Sequence, residues 1–350
     1  MKTSNYHLKH SKMSKPKGIF LIFGLLIMNN VVLLEQSLDQ KIDNIVTPLL
    51  QEYPGVQIAI GQNDRITFQK SYGISDLSKK ARLTNDELFR IYSISKFITT
   101  IALLQQVEKG AINPDKPIVD YIPSWDESKI NPWNTKITPL HLATHRSGIR
   151  HYTGLDEVYS SQQCYEVDEA VSIFDRSYLL FEPGTKKAYS SWGYVLLSKL
   201  IEEVTGISYC EYTRKYIFEP TSLSNIVLYD REKILPEAHI YEKDKNGNYI
   251  DVSYVNPSCK FGAGGFISNA KDLVALGMAF YSEKLISQDM VQLAVAGDVT
   301  GQIFMIGGVS AGARSLLAID MKTGRTIAIL GNLRGAPFED IVTELFNTQN

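Results

Sequence analysis

The chain has 350 residues, 44% hydrophobic and 21% charged, which excludes a disordered, collagen-like or polytopic membrane protein. Its length suffices for one large domain or two medium domains with a sizeable core. The formal net charge is −2, but residues 1–17 hold five lysines and no acid, which leaves 31 basic against 38 acidic residues in the remainder. This acidic body argues against a nucleic-acid partner, which needs a concentrated basic face.

The N-terminal segment resembles an export signal. The lysine-rich start is followed by an apolar run over residues 18–34, and the first acidic residue is Glu35. A basic region before an apolar stretch is typical of a secretory signal. No small-x-small cleavage motif follows, so a single uncleaved membrane anchor is equally open; 17 helical residues span roughly 25 Å. We predict a leader with a signal or anchor segment over residues 1–40 and an exported, periplasmic or otherwise extracytoplasmic body. A disordered tail with an apolar patch is the alternative.

Short strands are predicted at both ends of the body. Val56–Ile60 and Arg65–Gln69 are β-rich runs joined by a Gln-Asn-Asp turn, which indicates a hairpin. Ser315–Asp320 and Thr326–Asn332 form a second pair around a Lys-Thr-Gly turn, and Phe338–Phe346 is a predicted terminal helix. The predicted fold class is α+β: an antiparallel sheet built from N- and C-terminal strands, flanked by helices, with a mostly helical subdomain inserted.

Two helices of the inserted region have clear signals. One begins at Ser93 and stops at Gly110; the other begins at Trp192 and ends at Gly206, each with apolar residues at helical spacing. We therefore predict one domain, whose bounds are 41–350, with a sheet part over about 41–92 and 262–350 and a helical part over about 93–261.

The three cysteines, Cys164, Cys210 and Cys259, lie far apart without a C-x-x-C motif. This pattern argues against a disulfide scaffold and a thiolate zinc site, and three buried thiols are expected. The spacing of His141 and His145 matches part of a zinc-binding helix, but Leu142 stands where the catalytic glutamate would be. No metal or cofactor is predicted.

Ser93-Ile-Ser-Lys96 is an S-x-x-K motif at the start of the first helix. Side chains three positions apart on a helix lie on one face, within reach of each other. A lysine kept neutral by burial can take the serine proton, and the helix N-terminus favours a developing oxyanion. The motif alone is weak evidence, because Ser14…Lys17 and Ser268…Lys271 match it as well.

Tyr189-Ser-Ser191 directly precedes the second helix. A tyrosine at a helix start can transfer a proton when a neighbouring cation stabilises its phenolate. Taken by itself, Tyr189 is equally well explained as an ordinary aromatic loop residue.

Four motifs follow one another along the chain: Phe89-Arg-Ile-Tyr-Ser93-Ile-Ser-Lys96, Ile137-Thr-Pro-Leu-His-Leu-Ala-Thr-His145-Arg-Ser-Gly-Ile149, Pro183-Gly-Thr and Tyr189-Ser-Ser-Trp-Gly-Tyr194. With these motifs in this order, the chain resembles the class C β-lactamases and penicillin-binding-protein-like serine hydrolases. Two further stretches, beginning at Ser147 and Tyr254, are most similar to the mitochondrial serine β-lactamase-like protease and its bacterial relatives. The likeness runs from about Gln51 to Leu333.

The resemblance implies an acyl-transfer enzyme. Ser93 attacks a peptide, ester or lactam carbonyl, Lys96 acts as the base, and Tyr189 passes the proton to the leaving group. The oxyanion lies between the backbone N–H of Ser93 and that of an edge-strand residue. Ser191 takes the place of an asparagine found in many relatives.

The third motif departs from the family. Relatives carry a histidine or lysine on the edge strand, whereas counting back from the glycine turn places Ile306 there. Gly307 and Gly308 remain, and Val309 is expected to supply the second oxyanion N–H. A literal Lys322-Thr-Gly324 lies between two strand runs and is interpreted as a hairpin turn.

Two functions stay open at this point. The first is a serine hydrolase that acts on a small peptide or ester; losing one electrostatic contact commonly lowers the rate by about 10²–10³. The second is a catalytically impaired scaffold or binding protein that keeps the pocket. The branch it resembles also self-associates, so self-association is a further expectation.

Overall fold

The structure is a computed structural model that describes residues 39–128, 132–233, 235–295, 299–300 and 302–347. In this part of the chain the helices are α1 (39–46), α2 (Ser95–Glu108), α3 (Pro139–Ala143), α4 (Leu155–Val158), α5 (Val167–Val171), α6 (Ser191–Thr205), α7 (Tyr209–Thr213), α8 (Phe261–Gly264), α9 (Ala270–Tyr281), α10 (Gln288–Val295) and α11 (Phe338–Asn347). The strands are β1 (Gly55–Gln62), β2 (Arg65–Asp76), β3 (Ala81–Arg82), β4 (Phe89–Arg90), β5 (Val227–Leu228), β6 (Tyr241–Lys243), β7 (Tyr249–Asp251), β8 (Phe266–Ser268), β9 (Val299–Thr300), β10 (Ile303–Ser310), β11 (Ala313–Asp320) and β12 (Thr326–Gly331).

The predicted signal or anchor run over residues 18–34 and the Ser14…Lys17 pair lie outside the described residues. Among the residues that are described, no helix has the length and apolar character needed to cross a membrane.

The main sheet has seven strands in the order β3-β2-β1-β12-β11-β10-β9, and its strand pairs are antiparallel. The first strand of the chain therefore lies beside the last, with Ile58 opposite Ile329. The predicted fold class is confirmed, because strands from both ends of the body build one sheet. Both predicted hairpins are present, and Lys322-Thr-Gly324 is the turn between β11 and β12, with Gly324 at φ +70°.

Alternating side chains of the sheet face two apolar layers. On one face, Ala328 and Leu330 pack with residues of α2 and α9. On the other face, Ile327 and Ile329 pack with residues of α1 and α11. The central strands are buried on both sides, which explains their almost continuous runs of apolar residues.

The segment between β4 and β8 is mostly helical and contains α2 to α8. The two predicted helices are confirmed: α2 is followed by Gly110 at φ +72°, and α6 by Gly206 at φ +71°. Ser190 caps α6, because its Oγ accepts a 3.0 Å hydrogen bond from the N–H of Gly193. The predicted division between sheet and helical parts near residues 93 and 262 stays a prediction.

The expectation of three buried thiols is wrong. Cys164 and Cys259 form a disulfide across 95 residues of sequence, and Cys210 is free and exposed. Neighbouring contacts hold the two segments together: the N–H of Cys164 donates to Ser258 Oγ at 3.0 Å. Spacing along the chain gave no signal for the pair, because only tertiary packing brings their Cα atoms to 4.9 Å.

Candidate active site

Ser93 lies in a 3₁₀ turn, Tyr92–Ile94, directly before α2. The preceding residue, Tyr92, has φ +44°, a left-handed conformation that costs free energy for a residue with a side chain. The Tyr92 ring is buried and its hydroxyl donates a 2.5 Å hydrogen bond to the carbonyl of Ala311. This contact ties the turn that carries Ser93 to the end of β10.

The structure brings three of the predicted site residues into direct contact. The Nζ atom of Lys96 is 3.0 Å from Ser93 Oγ, and the Oη atom of Tyr189 is 2.7 Å from the same oxygen. The first distance follows from the i,i+3 spacing at the start of α2. The second joins segments 96 residues apart and depends on the docking of α6 against α2. The catalytic roles of these residues remain predictions.

Lys96 is almost completely buried, with 3% of its surface exposed. Besides Ser93, its Nζ donates to Ser191 Oγ at 3.2 Å and to the carbonyl of Ala263 at 2.7 Å. Burial disfavours the charged amine and lowers the pKa of Lys96 to about 7. A substantial neutral fraction is therefore present near neutral pH, as a general base requires.

The pKa of the Tyr189 phenol shifts in the opposite direction. Although 47% of the residue is exposed, partial desolvation raises the pKa of the phenol, and hydrogen bonds with Ser93 and Ser191 partly offset this effect. Tyr189 is thus a protonated phenol at neutral pH. In this state it is suited to donating a proton rather than to removing one.

Two histidines position the segment that carries Tyr189. The N–H of Ser190 donates to His145 Nδ1 at 3.3 Å, and the N–H of Ser191 donates to His151 Nδ1 at 3.2 Å. Burial, reinforced by the charge of Lys96, lowers the pKa of both histidines to about 4. Both rings are neutral acceptors of backbone hydrogen bonds.

Strand β10 approaches the serine turn closely at Gly308. A Cβ atom there would clash with the carbonyl of Ile91, to which Ser315 Oγ also donates at 2.8 Å. Glycine is therefore required for this approach. The prediction that Gly307 and Gly308 let the backbone come near the substrate site agrees with this geometry for Gly308.

The N–H of Val309 is directed to the open edge of the sheet. Ser310 and Ala313 flank the two-residue turn between β10 and β11, so the Val309–Arg314 pair is a non-hydrogen-bonded position of the ladder. Among the described residues, β9 pairs with β10 at Ile303 and Phe304 alone, and no described strand pairs with the open edge at Val309. The orientation suits the predicted oxyanion contact.

Ser93 and Tyr189 lie where two arms of a cleft meet. One arm, of about 430 Å³, is lined by polar and aromatic groups that include Tyr152, Ser191, Lys260 and Arg334. The other arm, of about 700 Å³, is mainly apolar. Its lining includes Phe97, Leu103, Leu104, Val107, Phe304 and Ile306.

Ile306 stands on the wall of the apolar arm, at the position where the family resemblance implies a histidine or lysine. It is opposite Leu317 in the β10–β11 pair, and it packs on the face of the sheet that α2 and α9 cover. Lys322, the lysine of the literal Lys-Thr-Gly sequence, lies instead in the turn beside Tyr281, whose hydroxyl donates to its carbonyl at 3.3 Å. That lysine does not replace the missing group.

Sequence reasoning missed three groups of the site: His151, Lys260 and the Ala263 carbonyl. Lys260 and Ala263 lie in the stretch that begins at Tyr254, for which the sequence predicts no site residue. Their position beside Lys96 results from packing of that stretch against α2 and α6, which residue spacing does not reveal.

The second S-x-x-K match within the described residues is not assembled. Ser268 is buried in β8 and its hydroxyl donates to the carbonyl of Asn269 at 3.0 Å, while Lys271 is exposed. The difference from Ser93 and Lys96 is one of tertiary position, because the local spacing is the same.

The chain is similar to a known protein family and to several curated proteins. The model of the family described as beta-lactamase matches residues 42–346. The mitochondrial serine beta-lactamase-like protein LACTB of Homo sapiens is 22% identical over 289 residues, which are 65% of this chain and 53% of that protein. Teichoic acid D-alanine hydrolase of Staphylococcus aureus is 29% identical over 257 residues, which are 72% of this chain and 60% of that protein. The chain thus spans between half and two thirds of the length of these relatives.

Solved structures are similar in fold. An octameric penicillin-binding protein homologue from Pyrococcus abyssi superposes with a TM-score of 0.75 and 22% identity, over 89% of this chain and 78% of the other. D-amino acid amidase from Ochrobactrum anthropi SV3 superposes with a TM-score of 0.76 and 22% identity, over 90% of this chain and 100% of the other. These likenesses confirm the predicted β-lactamase and transpeptidase-like fold.

Proposed function

Because this chain belongs to the beta-lactamase family of serine hydrolases, we propose that Ser93 is the nucleophile of a hydrolase that works through an acyl-enzyme. The observation that carries the proposal is the contact of one hydroxyl with both a buried amine and a phenol. An amine with a lowered pKa and a phenol with a raised pKa divide the roles of base and proton donor.

The hydrogen bonds supply a direction for the first proton transfer. A neutral Lys96 donates its two N–H bonds to the Ala263 carbonyl and Ser191 Oγ, so its lone pair accepts the proton of Ser93. Tyr189 donates to Ser93 Oγ at the same time. The oxygen of Ser93 then forms a bond to the substrate carbonyl carbon as its proton moves to Lys96.

The tetrahedral intermediate carries its negative charge between the backbone N–H groups of Ser93 and Val309. This charge lies at the N-terminal end of α2, where the helix dipole is favourable. Collapse of the intermediate breaks the bond to the leaving group, which takes a proton from Tyr189, and Lys96 returns a proton to the phenol. Water then attacks the acyl-enzyme by the same steps in reverse order, and Ser93 is released.

We propose peptides, esters and amides as substrates, with β-lactam-like carbonyls included. The names of two similar proteins, a teichoic acid D-alanine hydrolase and a D-amino acid amidase, support esters and amides of D-amino acids as the first compounds to assay.

Covalent labelling with a fluorophosphonate followed by peptide mass spectrometry tests the proposal. The expected adduct lies on Ser93 and disappears in Ser93→Ala, while Ser172→Ala, at an exposed serine, keeps it. An adduct on another serine that persists in Ser93→Ala contradicts the assignment.

A catalytically impaired scaffold is the second candidate function, and Ile306 is the observation that favours it. An apolar side chain at position 306 cannot form the electrostatic contact with the substrate that a histidine or lysine would form. A Ser93-dependent rate of ester hydrolysis above the rate in buffer argues against this candidate. Binding of a small acyl compound with no adduct and no turnover supports it.

We further propose that the protein is exported, with residues 18–34 as signal or membrane anchor. The disulfide between Cys164 and Cys259 supports this, since such bonds persist in oxidising compartments. Fractionation of cells that express the protein with or without residues 1–40 tests in which compartment it is found.

We also propose that the protein self-associates. Sedimentation equilibrium measures the mass of the assembly in solution.

A further inference from the structure

Lys260 is a second buried lysine in the cleft, outside the predicted catalytic set. It ends the 3₁₀ turn Ser258–Lys260, beside the disulfide-bonded Cys259, and 3% of its surface is exposed. Its side chain lines the same arm of the cleft as Ser93. The disulfide therefore anchors the segment that brings this amine to the site.

The amine of Lys260 is poorly compensated. An ammonium has three N–H donors, yet the described residues provide one hydrogen-bond acceptor, the carbonyl of Val158 at 3.2 Å. The rings of Tyr92 and Tyr152 flank it, with centroids at 5.6 and 5.3 Å. Their π faces partly stabilise the positive charge, but neither ring supplies a hydrogen-bond acceptor in these contacts or a formal negative charge.

No carboxylate of the described residues forms an ion pair with Lys260. The neighbouring charges are positive: Arg90, which is itself paired with Glu237 at 2.6 Å, and Lys96. Burial, and repulsion by these two cations, lower the pKa of Lys260 to about 7. Burying such a charge without a counter-ion is costly, and an anion that enters the cleft removes that cost.

A second cationic residue, Arg334, lines the same arm of the cleft. Arg334 lines it from the end of β12, is half exposed, and lies 3.7 Å from Glu242. That carboxylate already accepts hydrogen bonds from Tyr159 and from the N–H of Gly312, each at 3.0 Å. Arg334 is thus partly neutralised at the mouth of the cleft, whereas Lys260 is unpaired within it.

We propose that Lys260 recognises a carboxylate on the substrate while the scissile carbonyl lies at Ser93. This inference rests on the proposed hydrolase function and names its substrate class: acyl compounds with a singly charged acidic group in the arm of the cleft that Lys260 lines. A single buried ammonium matches a single carboxylate. A charge-assisted hydrogen bond between them gives a partner to an N–H of Lys260 that otherwise lacks one. The apolar arm beside Ile306 then holds the uncharged part of the substrate.

Binding to Ser93→Ala, which leaves an ester intact, tests the inference by isothermal titration calorimetry. Phenyl butyrate is the neutral ligand. The two anionic ligands are 3-(butyryloxy)benzoate, charged on the leaving group, and mono-4-nitrophenyl glutarate, charged on the acyl group. At least one anionic ester is expected to bind 10-fold or more tightly than phenyl butyrate.

Adding Lys260→Met to Ser93→Ala keeps the length of the side chain and removes its charge, and the preference for the anionic ester should disappear. Adding Lys271→Met instead, at an exposed lysine of α9, should preserve it. Thermal melting checks that each variant is folded. Equal binding of neutral and anionic esters by Ser93→Ala overturns the inference without any change at Lys260, and so does a preference that survives Lys260→Met.

Turnover by the unmodified protein separates this inference from the proposed function. Hydrolysis of phenyl butyrate without any preference for anionic esters overturns the role of Lys260 alone. Lysine-dependent binding of an anionic ester with no turnover of any ester overturns the hydrolase proposal alone and leaves the recognition site.

Discussion

The amine of Lys96 lies 3.0 Å from the hydroxyl of Ser93, and in the described part of the chain it forms no ion pair with a carboxylate. Its other two hydrogen bonds are with neutral oxygens, the Ser191 hydroxyl and the Ala263 carbonyl, and the rings of Tyr189 and Tyr194 lie 5.0 and 5.7 Å from it. No carboxylate in this part of the chain stabilises the ammonium, so burial dominates its protonation. The basicity of the site therefore depends on how completely water is excluded from one side chain.

The pH dependence of hydrolysis follows from this burial. Because the pKa of Lys96 is lowered to about 7, the neutral amine is lost as the pH falls below that value. We expect kcat/KM for phenyl butyrate to fall about tenfold per pH unit below about pH 6 and to level off above about pH 8. A rate that increases as the pH falls from 7 to 5 contradicts the role of Lys96 as base.

Removing the amine or the phenol should lower activity by different amounts. Lys96→Ala removes the base and should lower kcat/KM by about 10³-fold or more, while Tyr189→Phe keeps the ring and should lower it by about 10²-fold. Steady-state kinetics measures both changes. Melting temperatures at or above that of the unmodified protein are expected for Lys96→Ala, because a buried charge is removed. An active Lys96→Ala variant excludes the proposed mechanism.

The departure at Ile306 can be reversed by substitution. Ile306→His places a polar side chain on the wall of the apolar arm, at the position where the family resemblance implies one, and should raise kcat/KM for phenyl butyrate by about 10-fold or more, because it restores an electrostatic contact with the reacting group. Ile303→His is the control on the same strand, since residue 303 packs on the opposite face of the sheet. Equal effects of the two changes rule out a specific role for position 306.

The close approach at Gly308 predicts a contrast between neighbouring glycines. A Cβ at 308 clashes with the Ile91 carbonyl, whereas one at Gly307 meets Leu316 Cδ1 at an ordinary 3.6 Å. Gly308→Ala should lower the free energy of unfolding by about 1–3 kcal/mol and kcat/KM by about 10²-fold, because it displaces the Val309 N–H. Gly307→Ala should leave the free energy of unfolding nearly unchanged.

Urea unfolding and steady-state kinetics of the two alanine variants test this contrast. A Gly308→Ala protein as stable and as active as Gly307→Ala shows that β10 tolerates displacement from the serine turn. The proposed position of the second oxyanion donor is then wrong.

The disulfide should contribute strongly to stability. Replacing Cys164 and Cys259 together by alanine is expected to lower the free energy of unfolding by about 2–4 kcal/mol, since the bond closes a long loop of the unfolded chain. Cys210→Ala, at the free and exposed thiol, is the control and should change it by less than about 0.5 kcal/mol. Urea unfolding with and without a reducing agent measures both changes. If the unmodified protein and the double alanine variant unfold at the same urea concentrations, the disulfide does not stabilise the fold.

Local features of the fold could be predicted because their causes lie within a few residues of sequence. The i,i+3 spacing of Ser93 and Lys96 brings the two side chains together at the start of a helix. Gly110 and Gly206 end their helices because glycine adopts the left-handed conformation at little cost. Alternating and apolar runs likewise predicted the hairpins at both ends of the body.

Other features of the site could not be predicted in this way. Ser268 and Lys271 have the same spacing as Ser93 and Lys96, yet Ser268 is buried at the end of a strand and Lys271 is exposed on the following helix. The cysteine pattern led to the wrong expectation of three buried thiols, because no local sequence pattern predicts a disulfide between residues 95 positions apart.

The sequence by itself thus determined the elements, the order of the motifs and the fold family, since these depend on local geometry and on runs of residue types. Only the tertiary structure decided which groups share one cleft: Tyr189 with Ser93, the Ala263 carbonyl with Lys96, and an unpaired Lys260 beside them. The physical reason is that burial of apolar surface selects one packing of the whole chain. The pKa values of groups enclosed by that packing follow from their depth and their neighbours, and position in the sequence specifies neither.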